Sequence, residues 1–273
     1  MSAAATARTI RRTDGVDSVR ALQRVLYRSA KQDRTRRFHA LFDKVSRRDV
    51  LEQAWANVRA NGGAPGVDGI SIDDVESAGV NKLLDDLAAE LQAGTYRPKA
   101  LRRVDIPKPG RPGQTRPLSI PTIRDRVIMA AAKLVLEPIF ESDFLPNNFG
   151  FRRNRSTHMA LEAVRIEANA GGNWVLDADV TNCFGSIDHN ALMTQVERRV
   201  CDRKMLKLIR AWLRAGVLQD GVTTVTTSGT PQGSPMTPQT QPITTVVKRA
   251  VHRNRVPNHD TLRSNKDVFD HKA

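Results

Sequence analysis

Two aspartates two residues apart, Asp177 and Asp179, stand in the segment Asn173 to His189, NWVLDADVTNCFGSIDH. Carboxylates at that spacing suit the holding of a hard cation, which takes oxygen ligands. Trp174, Val175, Leu176, Ala178 and Val180 read as a short buried strand after a Gly-Gly turn. Side chains alternate along a strand, so Val175, Asp177 and Asp179 point one way and Trp174, Leu176, Ala178 and Val180 the other. Asp179 then falls at the strand's open end. A carboxylate there, with neighbouring carbonyls and an aromatic at Phe184, can hold a divalent ion beside a substrate pocket. The same pair serves equally well to solubilise a strand end, and both readings stand on these residues alone.

The elements that must position this strand can be read on either side of it. Val16, Val19, Leu22, Val25, Leu26, Phe38, Leu41, Phe42 and Val45 sit among many Arg and Lys, the pattern of helices with a narrow buried stripe and a basic outer face. Ser46 is a candidate N-cap for a helix carrying Val50, Leu51, Ala54, Trp55 and Val58, with its stop at Asn61-Gly62-Gly63. The glycine-rich run Gly62 to Ile72, GGAPGVDGISI, either cradles an RNA backbone or makes a tight connection. Leu83, Leu84, Leu87 and Leu91 predict an amphipathic helix ending at Gly94.

Residues 101–126, LRRVDIPKPGRPGQTRPLSIPTIRDR, predict a basic hairpin with strands near 103–106 and 116–120 and a tip at 108–114. Lys108, Arg111, Arg116 and Arg124 could meet phosphates there, and a solvated charged hairpin explains them as well. Val127 to Phe140 predicts a buried helix with Pro138 near its end. The segment Asn147 to Ser156, NNFGFRRNRS, interleaves Phe149 and Phe151 with basic residues, which suits stacking and phosphate contact with RNA or simple core packing. A helix from Thr157 leads into the acidic strand. Beyond it lie two further helical patterns, 191–200 and 203–215, the second capped by Asp202 and stopped at Gly216, and a β-branched strand at 222–228.

Composition narrows the partner. Lys plus Arg number 43 against 29 Asp plus Glu, a formal charge of +14 spread along the chain, which favours a polyanion such as nucleic acid. Two cysteines, Cys183 and Cys201, are too few for a disulfide framework or a zinc cluster, and a reducing compartment fits them. No apolar run approaches the ~20 residues needed to cross a bilayer, so no membrane partner is expected. The Arg-bearing start MSAAATARTIRR resembles a transit peptide only weakly, which makes a bacterial-type cytoplasmic location the first expectation and an organelle the second.

Taken in order, GGAPGVDG (62–69), RPLSIPTIRDRVIMAA (116–131), NNFGFRRNRSTHMAL (147–161), VLDADVTNCFGSIDH (175–189) and TSGTPQGSPMTP (227–238) resemble the motifs of group II intron-encoded reverse transcriptases, the intron maturases. The resemblance covers about residues 40–238. It implies an α+β fold, helix-rich with a small antiparallel sheet, made of right-hand polymerase fingers and an incomplete palm. The implied divisions are a basic, partly helical or disordered extension (1–40), a fingers-like region (41–170), a partial palm (171–238) and a divergent, disordered tail (239–273).

The resemblance also implies roles. Asp179 looks like the first metal-binding aspartate of the palm, with the Val180 carbonyl as a further ligand. The family uses two Mg2+ ions. Phe184 falls where a bulky residue lies under the incoming sugar, and Gln232 where one packs against the nucleotide and template pair. Arg116, with Lys108 or Arg111, occupies the segment that grips the triphosphate. Gly66, Asp68, Gly69, Arg124, Phe149, Arg152 and Arg155 lie in segments that meet the template. The implied partners are RNA, as intron or template, a DNA primer or target, and deoxynucleoside triphosphates.

One departure stands out. The family continues past Pro-Gln-Gly to a Tyr-x-Asp-Asp hairpin, whose carboxylates complete the metal site. Here Pro238 is followed by a polar, basic stretch, and the tyrosines are Tyr27 and Tyr96. The expectation is a truncated or frameshifted copy, inactive alone. A non-catalytic RNA-binding fragment or a pseudogene remnant are the alternatives.

Overall fold

The computed structural model describes residues 3–108, 110, 113–171, 182 and 184–230, and of residues 3–14 the backbone only. The acidic strand of 173–180 and the 239–273 segment lie outside the described residues.

The chain opens with a long helix α1 (Ala3–Gln32), then α2 (Phe42–Val45), α3 (Arg48–Asn61), α4 (Ile72–Ala78) and α5 (Val80–Ala93). The hairpin β1 (Leu101–Pro107) and β2 (Thr115–Ile120) leads into α6 (Ile123–Glu141) and α7 (Thr157–Asn169). After these come α8 (His189–Glu197), α9 (Arg203–Leu213), β3 (Val217–Gln219) and β4 (Val222–Thr224).

Helix α6 is the axis of the core. It carries few charges in its middle, so every side of it can be buried, and 15 of its 19 residues are. α1 and α3 pack along it, with Val19, Leu26 and Ala30 from α1 and Leu51, Ala54, Trp55 and Val58 from α3 in the same apolar cluster. Each fully buried aliphatic side chain contributes about 1.5–3 kcal/mol over leaving it in water. α1 is thus part of the core rather than a loose extension.

Helix ends follow the punctuation of the sequence, with one correction. α3 stops at Asn61, where Gly62 takes φ +60, and α5 stops at Gly94 in the left-handed region, as expected. The N-cap of α3 is Arg47, not Ser46, because the short α2 already occupies 42–45 and leaves Ser46 as its C-cap. The Asp49 carboxylate takes over at the start of α3, accepting from Arg47, from Val50 N and from Ser18 Oγ of α1 at 2.7 Å.

The sheet has order β2-β1-β3-β4. Its β1–β2 and β3–β4 pairs are antiparallel, and β1–β3 is parallel, Leu101 opposite Val217. The small sheet expected to be antiparallel is therefore mixed, because the chain returns through α6 to α9 before β3 joins the free edge of β1. β4 ends at Thr224, shorter than the strand expected over 222–228. Beyond it Ser228 forms an isolated bridge with Asp188, which takes the chain away from the ladder.

Two buried side chains lock the segments around this core. Asp202 caps α9 through Lys204 N and Met205 N, and its other oxygen accepts from Leu41 N and Phe42 N, both at 2.8 Å. Burial raises its pKa, but these four backbone donors outweigh that, and the carboxyl titrates below its ordinary range. Arg199 caps the C-terminal end of α1 by donating to Ala30 O at 2.8 Å and to carbonyls of Asp33, Arg34 and Arg36.

Candidate nucleic-acid and nucleotide interface

The turn from β2 into α6 is a hub for two segments that the sequence marks for nucleic-acid contact. Thr122 caps α6, and the buried Asp125 accepts from Thr122 Oγ1 at 2.8 Å, from Tyr96 Oη at 2.6 Å and from Lys99 N at 3.2 Å. Trp212 Nε1 of α9 donates to the same Tyr96 hydroxyl at 3.1 Å. Burial pushes the Asp125 carboxyl up against the pull of these donors. The root of the hairpin is thereby tied to α6 and α9.

The Gly62–Gly69 loop lies on this hub. A Cβ at Gly66 would stand 2.6 Å from Thr122 Cα, so only glycine lets the two backbones touch. Asp68 is nearly covered and stands 3.6 Å from Lys99 Nζ. Gly69 has φ +70 and faces open space. Arg126, one turn into α6, donates to Pro121 O at 3.0 Å and to Ala64 O across the loop.

Beneath the loop is a cavity of about 970 Å³ walled by α1, α3, α6 and the end of β2. Arg20, Lys133 and Arg153 line it. None of the three takes part in an ion pair among the described residues.

Of the hairpin's cations Arg103 and Arg116 are exposed, Lys108 is half-buried and Arg102 has its Nε covered. Lys108 N donates to Gln114 O at 2.9 Å and closes the ladder, and Arg116 is exposed opposite Ile106. Arg111 lies outside the described residues. The remaining cations divide into two kinds. Arg124 pairs with Glu90 at 2.5 Å, and Arg152, almost wholly covered, pairs with Glu141 at 2.6 Å and donates to the carbonyls of Leu145 and Asn148. Those two brace the fold. Arg155 sits over the Phe149 ring at 5.6 Å, which leaves a flat cationic surface at the edge of the 147–156 segment.

A third part is formed where the 184–189 segment meets Gly229 and Thr230. Phe184 packs against the core, and its carbonyl accepts from Thr230 N at 2.8 Å, while Gly229 N donates to Ile187 O at 2.8 Å. Gly229 has φ +83, and a Cβ on it would stand 3.0 Å from Gly185 Cα. His189 Nε2 lies 2.7 Å from Gly229 O. The 184–189 segment and Gly229-Thr230 are thus laced together, and Gln232 follows Thr230 two positions on in the sequence. Gln232, Asp177, Asp179 and Val180 lie outside the described residues. Among the described residues no group of three or more His, Cys, Asp or Glu could hold a metal ion. They do not by themselves fit the family's two-ion site.

Arg126 and Lys133 were not singled out from sequence. A lone lysine in the apolar run VIMAAAKLVLEPIF is the signal that could have marked the second. Arg126 stands two residues from Arg124, and only the direction of the helix face separates an inward clamp from an outward pair.

A glycine loop seated on a strand-to-helix turn, a basic hairpin beside it and an aromatic laced to Thr230 are the parts expected of a polymerase of the reverse transcriptase kind. Residues 106–251 match the reverse transcriptase (RNA-dependent DNA polymerase) family, more than half of the chain, and the chain belongs to that family.

Its relatives bear out the group II intron kind read from the motifs. It is 35% identical over 201 residues to the group II intron-encoded protein LtrA of Lactococcus lactis subsp. cremoris, covering 74% of this chain and 33% of LtrA. It is 34% identical over 223 residues to Protein YkfC of Escherichia coli (strain K12), covering 80% of this chain and 58% of YkfC. The chain thus spans a third of one relative and under two thirds of the other. Among solved structures, a chain of a partial Cas6-RT-Cas1--Cas2 complex superposes with a TM-score of 0.53 at 18% identity, over 77% of this chain and 34% of that one, a likeness of fold. Among the described residues no helix is long and apolar enough to cross a membrane.

Proposed function

We propose that this chain is the fingers and part of the palm of a group II intron reverse transcriptase, built to hold an RNA template and its DNA primer for RNA-directed DNA synthesis in intron mobility. The observation that carries the reading is the lacing of Phe184 to Thr230 and of Ile187 to Gly229. It supports a nucleotide pocket in which Phe184 lies under the sugar and Gln232 against the base pair. Arg116, Lys108 and Arg111 then meet the triphosphate. Gly66, Asp68, Gly69, Phe149 and Arg155 lie toward the template, while Arg124 and Arg152 act through the shape they hold.

Asp179 with the Val180 carbonyl would be ligands of a divalent ion, Mg2+ in this reading. That ion would draw charge from the reacting phosphate. These 273 residues contain no Tyr-x-Asp-Asp, so one family carboxylate stands where the two-ion chemistry needs more. The purified chain is therefore expected to bind a primed RNA template with strong salt dependence and to extend no primer with Mg2+ and deoxynucleoside triphosphates. Primer extension that Asp179→Ala abolishes would overturn the inactivity. Binding without salt dependence would overturn the nucleic-acid reading.

A further inference from the structure

We propose that Arg126 is a positioning residue, a buried guanidinium that holds the Gly62–Gly69 loop in the shape that faces nucleic acid without touching the ligand itself. The proposal rests on the reading of that loop as a template-side surface. Arg126 is 8% exposed, and its hydrogen bonds go to carbonyls rather than to a carboxylate: Pro121 O at the root of α6, Ala64 O, and Gly62 O at the limit of hydrogen-bond length, 3.5 Å.

A planar fork reaches three carbonyls at once, whereas a lysine ammonium is a compact point donor on a flexible stem. Burial lowers the pKa of Arg126, and the neighbouring Arg102 charge adds to that. The charge is held against that burial, with Asp68 favouring it, and its donors face the loop's backbone carbonyls.

The loop's own residues fit the clamp. Gly63 has φ +107, and a Cβ on it would come 3.1 Å from Arg126 Nη1. Gly66 lies against Thr122 three residues further on, so the loop is pinned on both sides of Ala64. Arg126 and Gly63 share the cavity wall with Arg20, Lys133 and Arg153. Of these cations Arg153 is exposed and outside every ion pair among the described residues, the state of a phosphate contact, whereas Arg126 is spent on carbonyls.

The test compares Arg126→Met, Arg126→Lys and Arg153→Gln in the full chain, with a labelled RNA annealed to a shorter DNA primer as the probe. Hydrogen exchange of 62–69 is followed without RNA, and affinity is followed against salt. Arg126→Met is expected to speed exchange at 62–69 while α3 and α6 keep their protection. It should weaken binding about tenfold with the salt slope unchanged, because no phosphate contact is lost. Arg153→Gln should lower the slope by about 0.7–0.9 and leave loop exchange alone.

A slope that falls in Arg126→Met as it does in Arg153→Gln, or exchange at 62–69 that stays as in the unaltered chain, overturns the proposal. If Arg126→Met unfolds α6, Arg126→Lys decides, since it keeps the charge and loses the fork: faster loop exchange supports the clamp and unchanged exchange overturns it. An unaltered chain that binds without salt dependence sinks the functional reading alone, and the exchange arm still decides the clamp.

Discussion

Helices α6 and α7 are both rich in apolar residues, yet one is the axis of the core and the other has no buried residue. In α7, Met159, Leu161, Val164 and Ile166 are between 42% and 62% exposed. At 100° per residue, Met159, Ala163 and Ile166 share one side, and Ala160, Leu161, Val164 and Ala168 another, so more than half of the helix surface is apolar. A helix apolar over so much of its girth is made for burial on several sides. The difference teaches that apolar content reports how much a helix can bury, while its neighbours decide how much it does. α6 is met by α1, α3 and α5, and α7 follows the basic 147–156 segment.

The largest expected effect separates the two helices directly. Leu136→Ala in α6 should cost about 2–5 kcal/mol in urea unfolding, because a cavity is left in a closed core. Leu161→Ala in α7 should stay within about 0.5 kcal/mol, as surface changes do. A cost of several kcal/mol at Leu161 would break the comparison by showing that α7 is covered in solution.

Next is Asp202→Ala, which removes the α9 cap and the acceptor for Leu41 and Phe42. It should cost roughly 3 kcal/mol at neutral pH. The folded pKa of Asp202 is lowered, so its contribution is present above the unfolded value near 3.9 and is lost as pH falls through the lower folded one. The gap between variant and unaltered chain should therefore narrow in acid. A gap that widens there would reverse the assignment.

Arg152→Ala should cost about 2 kcal/mol in the same unfolding experiment, since a covered guanidinium leaves Glu141 and two carbonyls without their donors. Arg155→Ala, three residues on, should leave stability alone and weaken binding to single-stranded RNA. Equal effects of the two on stability would remove the distinction between brace and contact.

The smallest effect belongs to Asp125. Its folded pKa is raised, so the stability it contributes is full below the unfolded value near 3.9 and declines as pH rises through the folded one. Asp125→Asn cannot ionise and should gain on the unaltered chain from acid toward neutral pH, read as converging or crossing thermal midpoints. An unaltered chain that gains on the variant from acid toward neutral pH would count against it.

Much of the fold was legible from sequence. The hairpin, the stops at Gly62 and Gly94, the Asp202 cap and the buried face Leu206, Ile209, Trp212 and Leu213 of α9 all follow from local rules. Ser46 was misplaced as a cap because a one-turn helix of four residues has no periodicity to read. The parallel join of β1 to β3 was out of reach because strand partners a hundred residues apart leave no local trace. The same limit hid the division among the arginines. Arg116, Arg124, Arg152 and Arg155 look alike in sequence, and whether a carboxylate from a distant helix reaches each one is settled only on folding.

What the sequence determined by itself is the family, through motifs whose order and chemistry survive without coordinates, and the charge that directs the chain to a polyanion. The tertiary structure decided which residues serve that chemistry directly. It set Gly66 against Thr122, turned Arg126 to backbone carbonyls and Arg152 to Glu141 and two carbonyls, and brought Arg20, Lys133 and Arg153, outside every ion pair among the described residues, to one cavity. The physical reason is that a residue's type sets what it can bond, while only packing sets which partners come within three ångströms of it.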